Sequence, residues 1–349
     1  MEGYAFSIRI LLLNINKGNY ILKALGFVFF TSRGEIIPTM LLMIGRIAKL
    51  TYIIGKLRCL MLLQTQDLSK CYGDFYALNS LNMHIAPGEV YGLLGPNGAG
   101  KSTALRLIMG FLKPSSGKAL IANHDCWADG VAARKKIAYL PGELRLYENM
   151  SGRQLVNFLS GLRNRPVRPD LNKMASIFDI DIDTPMANMS SGMKRKVALL
   201  LVLDPYAELI IMDEPTNTLD PTMRTALLDE VKAAKKRGQA VFFSSHVLSE
   251  VETVCDRIGV LRKGQLVHQQ SMSDLASGRR IRLRLACDTT IPDLSGLLLV
   301  RKEETLLHLE HNGALEPLMG WIGKLDLLEL SIEPLGLDSI YRKIHGDGV

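Results

Sequence analysis

Residues 95–103 have the types and spacing of a loop that holds the phosphates of a nucleotide. They match the pattern G-x-x-x-x-G-K-[ST], in which glycines let the backbone approach the anion and a lysine adds a full positive charge. An apolar run at 90–94 precedes the loop and helix-like spacing follows from 104, as this motif requires. The candidate binding residues are Gly95, Pro96, Asn97, Gly98, Ala99, Gly100, Lys101, Ser102 and Thr103, with the Ser102 hydroxyl a candidate Mg²⁺ ligand.

Two acidic residues follow an apolar run further along the chain. The run at 209–212 predicts a buried strand, and Asp213 and Glu214 come directly after it. Because a phosphate loop is present, we expect Asp213 to hold Mg²⁺ through water and Glu214 to orient and polarise an attacking water. Without that loop, four apolar residues before Asp-Glu would more often be an ordinary strand end.

Two weaker signals complete the set of candidate residues. His246 follows a second apolar run at 240–243, and the carboxyl end of such a strand is a suitable place to contact a terminal phosphate. Ser190, Ser191 and Gly192 open a basic helix, and a helix N-terminus can form a second anion site. Taken alone, neither signal is specific, since a single histidine is more often structural.

The elements that must position these residues form an α/β domain at about 62–270. Continuous apolar strands alternate with helices, such as one at 223–236, which is typical of a mostly parallel sheet covered on both faces. The segment 77–83 is predicted to separate two early strands. Apolar residues at helical spacing predict an inserted helical lobe at about 143–190.

The pattern changes beyond 278 and predicts a small α+β domain at 278–349. Ile281, Leu283 and Leu285 alternate with arginines, which indicates a strand that is buried on one face. Further strands are expected near 306–309 and 327–332, and helices near 315–322 and 339–344.

Charge and cysteine content narrow the class of protein. The net charge is +7, but residues 1–60 carry eight Lys or Arg against two Asp or Glu, so the remainder is close to neutral. No nucleic-acid partner is expected from this balance. The cysteines are scattered without a C-x-x-C pair, which indicates reduced thiols in a cytosolic protein rather than disulfides or a zinc site. They are Cys59, Cys71, Cys126, Cys255 and Cys287.

The segment 1–61 differs from the rest, being rich in Ile, Leu and Met with frequent Lys or Arg. Its longest uncharged stretches, such as 36–45, are about ten residues long, whereas a spanning helix needs roughly 20, and no cleavable signal peptide is evident. Three interpretations stay open: an interfacial amphipathic segment at a membrane, an extension without function, or upstream sequence translated from a misplaced start. The last is favoured because Met61 leads directly into the domain.

In their order along the chain, the motifs of 62–270 resemble those of the ATP-binding cassette (ABC) ATPases of membrane transporters. The resemblance implies a P-loop NTPase fold with ATP and Mg²⁺ at the phosphate loop. It implies that Tyr72 stacks on the adenine ring, that Glu214 is the catalytic base and that His246 is the switch histidine.

The same resemblance implies that each ATP site is shared between two subunits. Ser190, Ser191 and Gly192 would act as the signature motif and close on ATP held by a second subunit, expected to be another copy of the chain. Asp220 resembles a residue of the loop that forms the dimer contact.

Two departures from the family pattern stand out. The loop that senses the membrane subunit usually carries Gln, and this chain has Gly142 and Glu143 there. Glu143 or a water would substitute for the missing side chain, or coupling would depend less on this contact. The usual Leu, Gly and Gln of the signature are replaced by Met189, Ser191 and Met193. Because Ser190 and Gly192 remain, turnover is still expected.

The function implied by the resemblance is the ATPase subunit of a bacterial exporter. Separate transmembrane permease subunits would hold it on the cytoplasmic face of the cell membrane, and the domain at 278–349 resembles the extension of exporter-type cassettes. The alternative is a soluble, non-transport cassette that acts in DNA repair or on ribosomes. Those relatives usually carry long coiled-coil insertions or two cassettes, and neither is evident here.

Overall fold

The computed structural model describes residues 8–11, 26–29, 61–287 and 289–345. The chain divides into two compact units, Met1–Leu60 and Met61–Val349. In the first unit β1 (Ile8–Leu11) pairs antiparallel with β2 (Gly26–Phe29). The rest of the segment before Met61 lies outside the described residues, so the three interpretations of this segment stay open.

Strands and helices alternate through most of the second unit and give way to antiparallel strands near its end. Its strands are β3 (Leu63–Tyr72), β4 (Phe75–Leu81), β5 (His84–Ile85), β6 (Val90–Leu94), β7 (Ser116–Ile121), β8 (His124–Asp125), β9 (Ile137–Leu140), β10 (Leu209–Asp213), β11 (Ala240–Ser245), β12 (Arg257–Arg262), β13 (Gln265–Ser271), β14 (Arg279–Leu285), β15 (Leu297–Glu303), β16 (Leu306–His311) and β17 (Leu327–Pro334). Its α-helices are α1 (Lys101–Ile108), α2 (Gly130–Arg134), α3 (Gly152–Leu162), α4 (Leu171–Ile177), α5 (Ser191–Val202), α6 (Pro221–Lys236), α7 (Leu248–Val254), α8 (Met272–Ser277), α9 (Leu315–Ile322) and α10 (Leu337–His345).

The central sheet has the order β13-β12-β6-β11-β10-β9, and only β13 runs antiparallel to its neighbour. Every residue of β6, β10 and β11 is buried because both faces of the sheet are covered. Ile210 and Met212 pack into one apolar core with α6, and Leu209 and Ile211 pack into the other with α1. The predicted parallel sheet is confirmed, and the carboxyl ends of β6, β10 and β11 lie side by side.

A second, antiparallel sheet covers α1 from the other side, in the order β4-β3-β7-β8 with β5 paired to β3. The prediction that 77–83 separates two strands was wrong, since most of this segment belongs to β4. Leu78 and Leu81 are both fully buried although they are three residues apart. Ser80 between them has a φ of +49°, and this irregular backbone conceals the two-residue alternation of a strand.

The helical lobe contains α3, α4 and a short 3₁₀ turn, Met186–Asn188, before α5 returns the chain to the central sheet. Ser151 caps the helix α3: its hydroxyl accepts from the backbone N–H of Gln154, and the Gln154 side chain accepts from the N–H of Ser151. At the base of the lobe Arg168 pairs with Asp170 and donates to the carbonyl oxygens of Leu200 and Leu203 in and after α5.

The C-terminal sheet is antiparallel throughout, in the order β15-β16-β14-β17. Its inner face packs Ile281 and Leu283 against Leu318 and Ile322 of α9. The strand β15 was not predicted, because its apolar residues are consecutive rather than alternating and most of them are exposed. Several contacts join this region to the cassette. The helix α10 packs on α7, the backbone N–H of Leu337 donates to a Glu252 carboxylate oxygen at 2.6 Å, and the guanidinium of Arg262 donates to the carbonyl oxygen of Ile344.

Candidate nucleotide-binding and catalytic site

The phosphate loop joins the carboxyl end of β6 to the first turn of α1, and its backbone path requires glycine at two positions. At Gly100 the φ is +106°, and a Cβ would lie 2.5 Å from the carbonyl oxygen of Ala77. At Gly95 a Cβ would lie 2.4 Å from the carbonyl oxygen of Leu261. Both distances are shorter than any side chain tolerates, so neighbouring segments fix the loop in shape.

Lys101 is the first residue of α1, and its side chain is almost completely buried. Its Nζ donates to the carbonyl oxygens of Gly95 at 2.7 Å and Pro96 at 3.2 Å. It also lies 3.5 Å from Oε1 of Glu214. The ammonium group therefore lies within the loop and next to the acid that follows β10.

Asp213 is the last residue of β10, and a serine of the neighbouring strand holds it in place. The Ser244 hydroxyl donates to Oδ1 of Asp213 at 2.6 Å and accepts from the backbone N–H of Glu214 at 3.0 Å. Asp213 and Ser244 are direct partners in the β10–β11 register. Because this hydroxyl bridges both acidic residues, it fixes the direction in which the chain leaves the sheet.

The carboxylate of Glu214 is the meeting point of the predicted catalytic residues. The backbone of Glu214 has a φ of +46°, the left-handed conformation, so the chain turns sharply after β10. Its Oε2 accepts from the Asn217 amide at 2.5 Å and lies 3.6 Å from Nδ1 of His246. Since Oε1 faces Lys101, one carboxylate contacts the phosphate loop, the loop after β10 and the end of β11.

The electrostatic surroundings keep this carboxylate ionised. Partial burial raises the pKa of Glu214, but the Asn217 amide, the Lys101 charge and His246 together outweigh it. The net effect is a pKa lower than the usual value. A carboxylate in this state can accept a hydrogen bond from water and orient it.

Tyr72 ends β3, and its ring is 54% exposed. The Nζ of Lys70 lies 5.0 Å from the ring centroid. An exposed aromatic ring next to a cation is a suitable surface for stacking a base.

The signature residues lie at the exposed N-terminus of α5. Ser190 caps this helix, and its hydroxyl accepts from the backbone N–H of Met193 at 3.2 Å. Ser190 and Ser191 are exposed, and a Cβ at Gly192 would have only the Ser190 hydroxyl nearby, at 3.9 Å. Asp220 has a similar role at α6, where its carboxylate accepts from the N–H of Met223 at 2.9 Å.

Gly142 lies beside Asp213, at the place where the family carries a glutamine. A Cβ at 142 would lie 3.4 Å from Oδ2 of Asp213, so a longer side chain would project to that carboxylate. Glu143 is exposed. The carbonyl oxygen of Gly142 instead accepts from the guanidinium of Arg195 at 3.0 Å.

Sequence reasoning did not assign roles to Arg195, Ser244 or Asn217, although each contacts a predicted site residue. Helical spacing contained a signal for Arg195, because it shares a face of α5 with buried Leu199 and Val202. A cation on a buried helix face needs hydrogen-bond acceptors or opposite charges, because it loses its contact with water. Ser244 carried a similar signal, since it is a polar residue at the end of an otherwise apolar strand.

Comparison with known proteins agrees with these motifs. The ABC transporter family model matches residues 78–217. The linearmycin resistance ATP-binding protein LnrL of Bacillus subtilis is 32% identical over 66% of this chain and 74% of its own length. The lantibiotic transport ATP-binding protein SrtF of Streptococcus pyogenes is 35% identical over 59% of this chain and 89% of its own. The probable multidrug ABC transporter ATP-binding protein YbhF of Escherichia coli is 33% identical, but this chain spans only 38% of its length.

Solved structures show the same fold. An ATP-binding subunit of an ABC transporter superposes with a TM-score of 0.57 and 28% identity, over 61% of this chain and 91% of that one. The dimeric bacterial ABC transporter cassette MJ0796 superposes with a TM-score of 0.55 at 22% identity, over 60% of this chain and 98% of that one. None of the helices in the described ranges has the length and apolar character needed to cross a membrane.

Proposed function

This chain belongs to the ABC transporter family, and from that premise we propose that it binds and hydrolyses ATP as the energising subunit of a bacterial exporter. One observation carries the enzymatic part of the proposal. A single carboxylate, that of Glu214, lies 3.5 Å from Lys101 of the phosphate loop and 3.6 Å from His246. This places a base, a phosphate-binding cation and a second phosphate contact within one site.

The residues divide the work of hydrolysis as follows. The backbone N–H groups of residues 95–103 and the Lys101 ammonium bind the phosphates of ATP, and Tyr72 stacks on the adenine. Glu214 orients the attacking water, and His246 contacts the terminal phosphate. Because the Lys101 ammonium is bound to carbonyl oxygens of its own loop, ATP must replace those contacts when it enters.

The donor groups suit Mg²⁺, which would neutralise charge on the phosphates. The hydroxyl of Ser102 is exposed in the first turn of α1, and Oδ2 of Asp213 faces the space beside Gly142. No cluster of three or more His, Cys, Asp or Glu suited to a metal occurs among the described residues. A hydroxyl, a carboxylate and otherwise water and phosphate oxygens are the ligands that Mg²⁺ usually takes beside a nucleotide.

Each site is completed by a second copy of the chain. Ser190, Ser191 and Gly192 are presented outward at a helix N-terminus, where their backbone N–H groups can meet the phosphates held by the other copy. Asp220 lies at the start of α6 and would form part of the dimer contact. ATP would therefore join two subunits, and hydrolysis would release them.

Separate membrane subunits would receive this motion through the helical lobe. The lobe borders a cavity of about 240 Å³ that is lined by apolar side chains and arginines, and two of these arginines, Arg163 and Arg165, already pair with Asp204 of the same lining. Its lining includes Leu144, Leu155, Leu159, Arg145, Arg163 and Arg165. A helical segment of a permease with an apolar face would suit this surface, and it would hold the chain at the cytoplasmic face of the membrane.

The names of the relatives support an antimicrobial compound as the exported substrate. LnrL is named for linearmycin resistance, SrtF for lantibiotic transport, and BcrA of Bacillus licheniformis, 30% identical, for bacitracin transport. The substrate itself would be selected by the membrane subunits.

Phosphate release by the purified full chain with ATP and Mg²⁺ tests the enzymatic part, and an inactive protein that binds no ATP would contradict it. The transport part of the proposal is tested by purifying a tagged copy of the chain from detergent extracts of its own organism. We expect a polytopic membrane protein to accompany it. Recovery of ribosomes or DNA instead would favour the soluble class.

A further inference from the structure

Arg195 occupies an unusual position, since it is a buried cation in the helix that presents the signature residues. It is only 4% exposed and follows Ser191 by four residues, so it lies one turn into α5 on the inner side. A buried guanidinium needs several acceptors to offset the loss of water around it.

Its partners are four backbone carbonyl oxygens in two segments. One terminal nitrogen donates to Pro141 at 3.3 Å and Gly142 at 3.0 Å. The other donates to Asp213 at 3.3 Å and Glu214 at 2.6 Å. Its Nε is buried and has no hydrogen-bond partner among the described residues. The planar fork of one side chain thus spans the loop at 141–142 and the carboxyl end of β10.

These contacts connect parts of the chain that belong to different ATP sites. Asp213, Glu214 and the loop at Gly142 serve the nucleotide bound by the same subunit, whereas the start of α5 serves the nucleotide of the other subunit. Position 142 has no side chain to reach Asp213, so this loop meets the strand end through Arg195. Burial lowers the pKa of Arg195 and the charges of Asp213 and Glu214 raise it, and a guanidinium stays charged throughout.

We infer that Arg195 is a positioning residue that couples the two ATP sites of a dimer, an inference that rests on the proposed function. When the signature end of α5 closes on the partner's ATP, Arg195 transmits the displacement to the backbone of Glu214 and to the loop at Gly142. Hydrolysis in one subunit then depends on how its own α5 contacts the ATP that is bound by the other subunit.

The first experiment measures dimer formation rather than turnover. In a Glu214→Gln background, which we expect to bind ATP and hydrolyse it very slowly, the full chain is titrated with ATP and Mg²⁺ on a size-exclusion column. Adding Arg195→Lys keeps the charge but loses the fork, and we expect dimer affinity to fall about tenfold, with Arg195→Met falling further. Lys196→Met is the matched control, because Lys196 lies on the same helix and, within the described part of the chain, donates to the carbonyl oxygen of Asp179 alone.

ATP binding to the monomer separates positioning from loss of fold. Arg195 makes no hydrogen bond to residues 95–103 in the structure, so the variants should bind a fluorescent ATP analogue within about threefold of the parent. If Arg195→Met fails to fold, the measurements on Arg195→Lys alone decide whether Arg195 has a positioning role. A variant that binds the analogue and dimerises as well as Lys196→Met does would overturn the inference.

Mixed dimers test the coupling itself. Differently tagged copies are combined so that one carries Glu214→Gln and only the other hydrolyses ATP. Arg195→Lys is then placed in one copy or the other, and we expect turnover to fall in both arrangements. Two results would refute coupling between subunits: turnover that falls only when Arg195→Lys lies in the hydrolysing copy, or turnover that is unchanged in both arrangements. Should the unmodified chain neither hydrolyse ATP nor dimerise, the proposed function fails instead.

Discussion

Two of the three sheets of the second unit, the central sheet and the C-terminal sheet, bury their strands in different ways. In the central sheet every residue of β10 and β11 is buried, because helices cover both faces. In the C-terminal sheet β14 alternates, with Ile281 and Leu283 inside and Arg282 and Arg284 outside. A sheet that is buried on both faces leaves polar groups only at strand ends, and a sheet that is buried on one face carries them along its length.

This difference explains where chemistry is concentrated. At the end of the central sheet Asp213, Ser244 and Glu214 are joined by short hydrogen bonds, so replacing any one alters the others. On the C-terminal sheet Arg284 pairs with Glu329 at 3.3 Å, and both side chains are more than half exposed. Exposed pairs of this kind contribute about 0–1 kcal/mol. We therefore expect large functional effects at the first sheet and small ones at the second.

The largest effect should come from Lys101→Ala. The substitution removes the buried ammonium that lies among the carbonyl oxygens of the phosphate loop, and loss of such a charge from a transferring phosphoryl group costs about 1,000-fold or more in rate. Phosphate release and binding of a fluorescent ATP analogue are the measurements. Lys118→Ala, an exposed lysine on β7, is the control and should stay within about twofold. Normal hydrolysis by Lys101→Ala would refute the assignment of the phosphate loop.

Glu214→Gln should come next, with turnover reduced about 100-fold or more. The amide keeps the shape of the side chain but is a poor base, so ATP should still bind. Because ATP then persists, the variant should accumulate as a dimer, which light scattering with ATP and Mg²⁺ can measure. A protein that binds ATP yet stays monomeric would count against a site shared between subunits.

A smaller effect is expected from Asn217→Ala, on pH dependence rather than on rate at neutral pH. The Asn217 amide helps to hold the pKa of Glu214 below its usual value, so hydrolysis through the carboxylate persists above that pKa and is lost as pH falls through it. Removing the amide raises the pKa, and the acid limb of the turnover profile should move to higher pH. Asn217→Asp should move it further, since a second carboxylate disfavours the charged form. Superimposable profiles would show that Asn217 does not tune this carboxylate.

The sequence predicted those parts of the site whose geometry is set over a few residues. A loop between a strand and a helix fixes Gly95 to Lys101 locally, and an apolar strand delivers Asp213 and Glu214 to the edge of a sheet. The contacts of Arg195 with Gly142 and of Ser244 with Asp213 join residues 53 and 31 positions apart. Such pairs are determined by the packing of α5 and by strand order, which local spacing does not encode.

The fold shows the same difference between features that are set locally and features that depend on residues distant in sequence. The central strands were predictable because burial on both faces makes them continuously apolar. The strand β4 was missed because the backbone at Ser80 breaks the alternation, and β15 because its exposed apolar residues follow no period. Irregular or edge strands depend on partners that are distant in sequence, so their pattern in isolation indicates a loop.

The two faces of the C-terminal sheet should respond differently to substitution. Leu283→Ala removes a fully buried side chain and should destabilise this domain by about 2–5 kcal/mol, whereas Arg284→Ala should change stability by less than about 1 kcal/mol. Thermal unfolding measures the stability of both variants, and phosphate release measures their turnover. Turnover should stay within about threefold for both variants at temperatures where the domain remains folded, because neither residue contacts the site. A large loss of turnover in Arg284→Ala would break the contrast, since it would mean that the exposed face of this sheet, and not only the strand ends of the central one, takes part in hydrolysis.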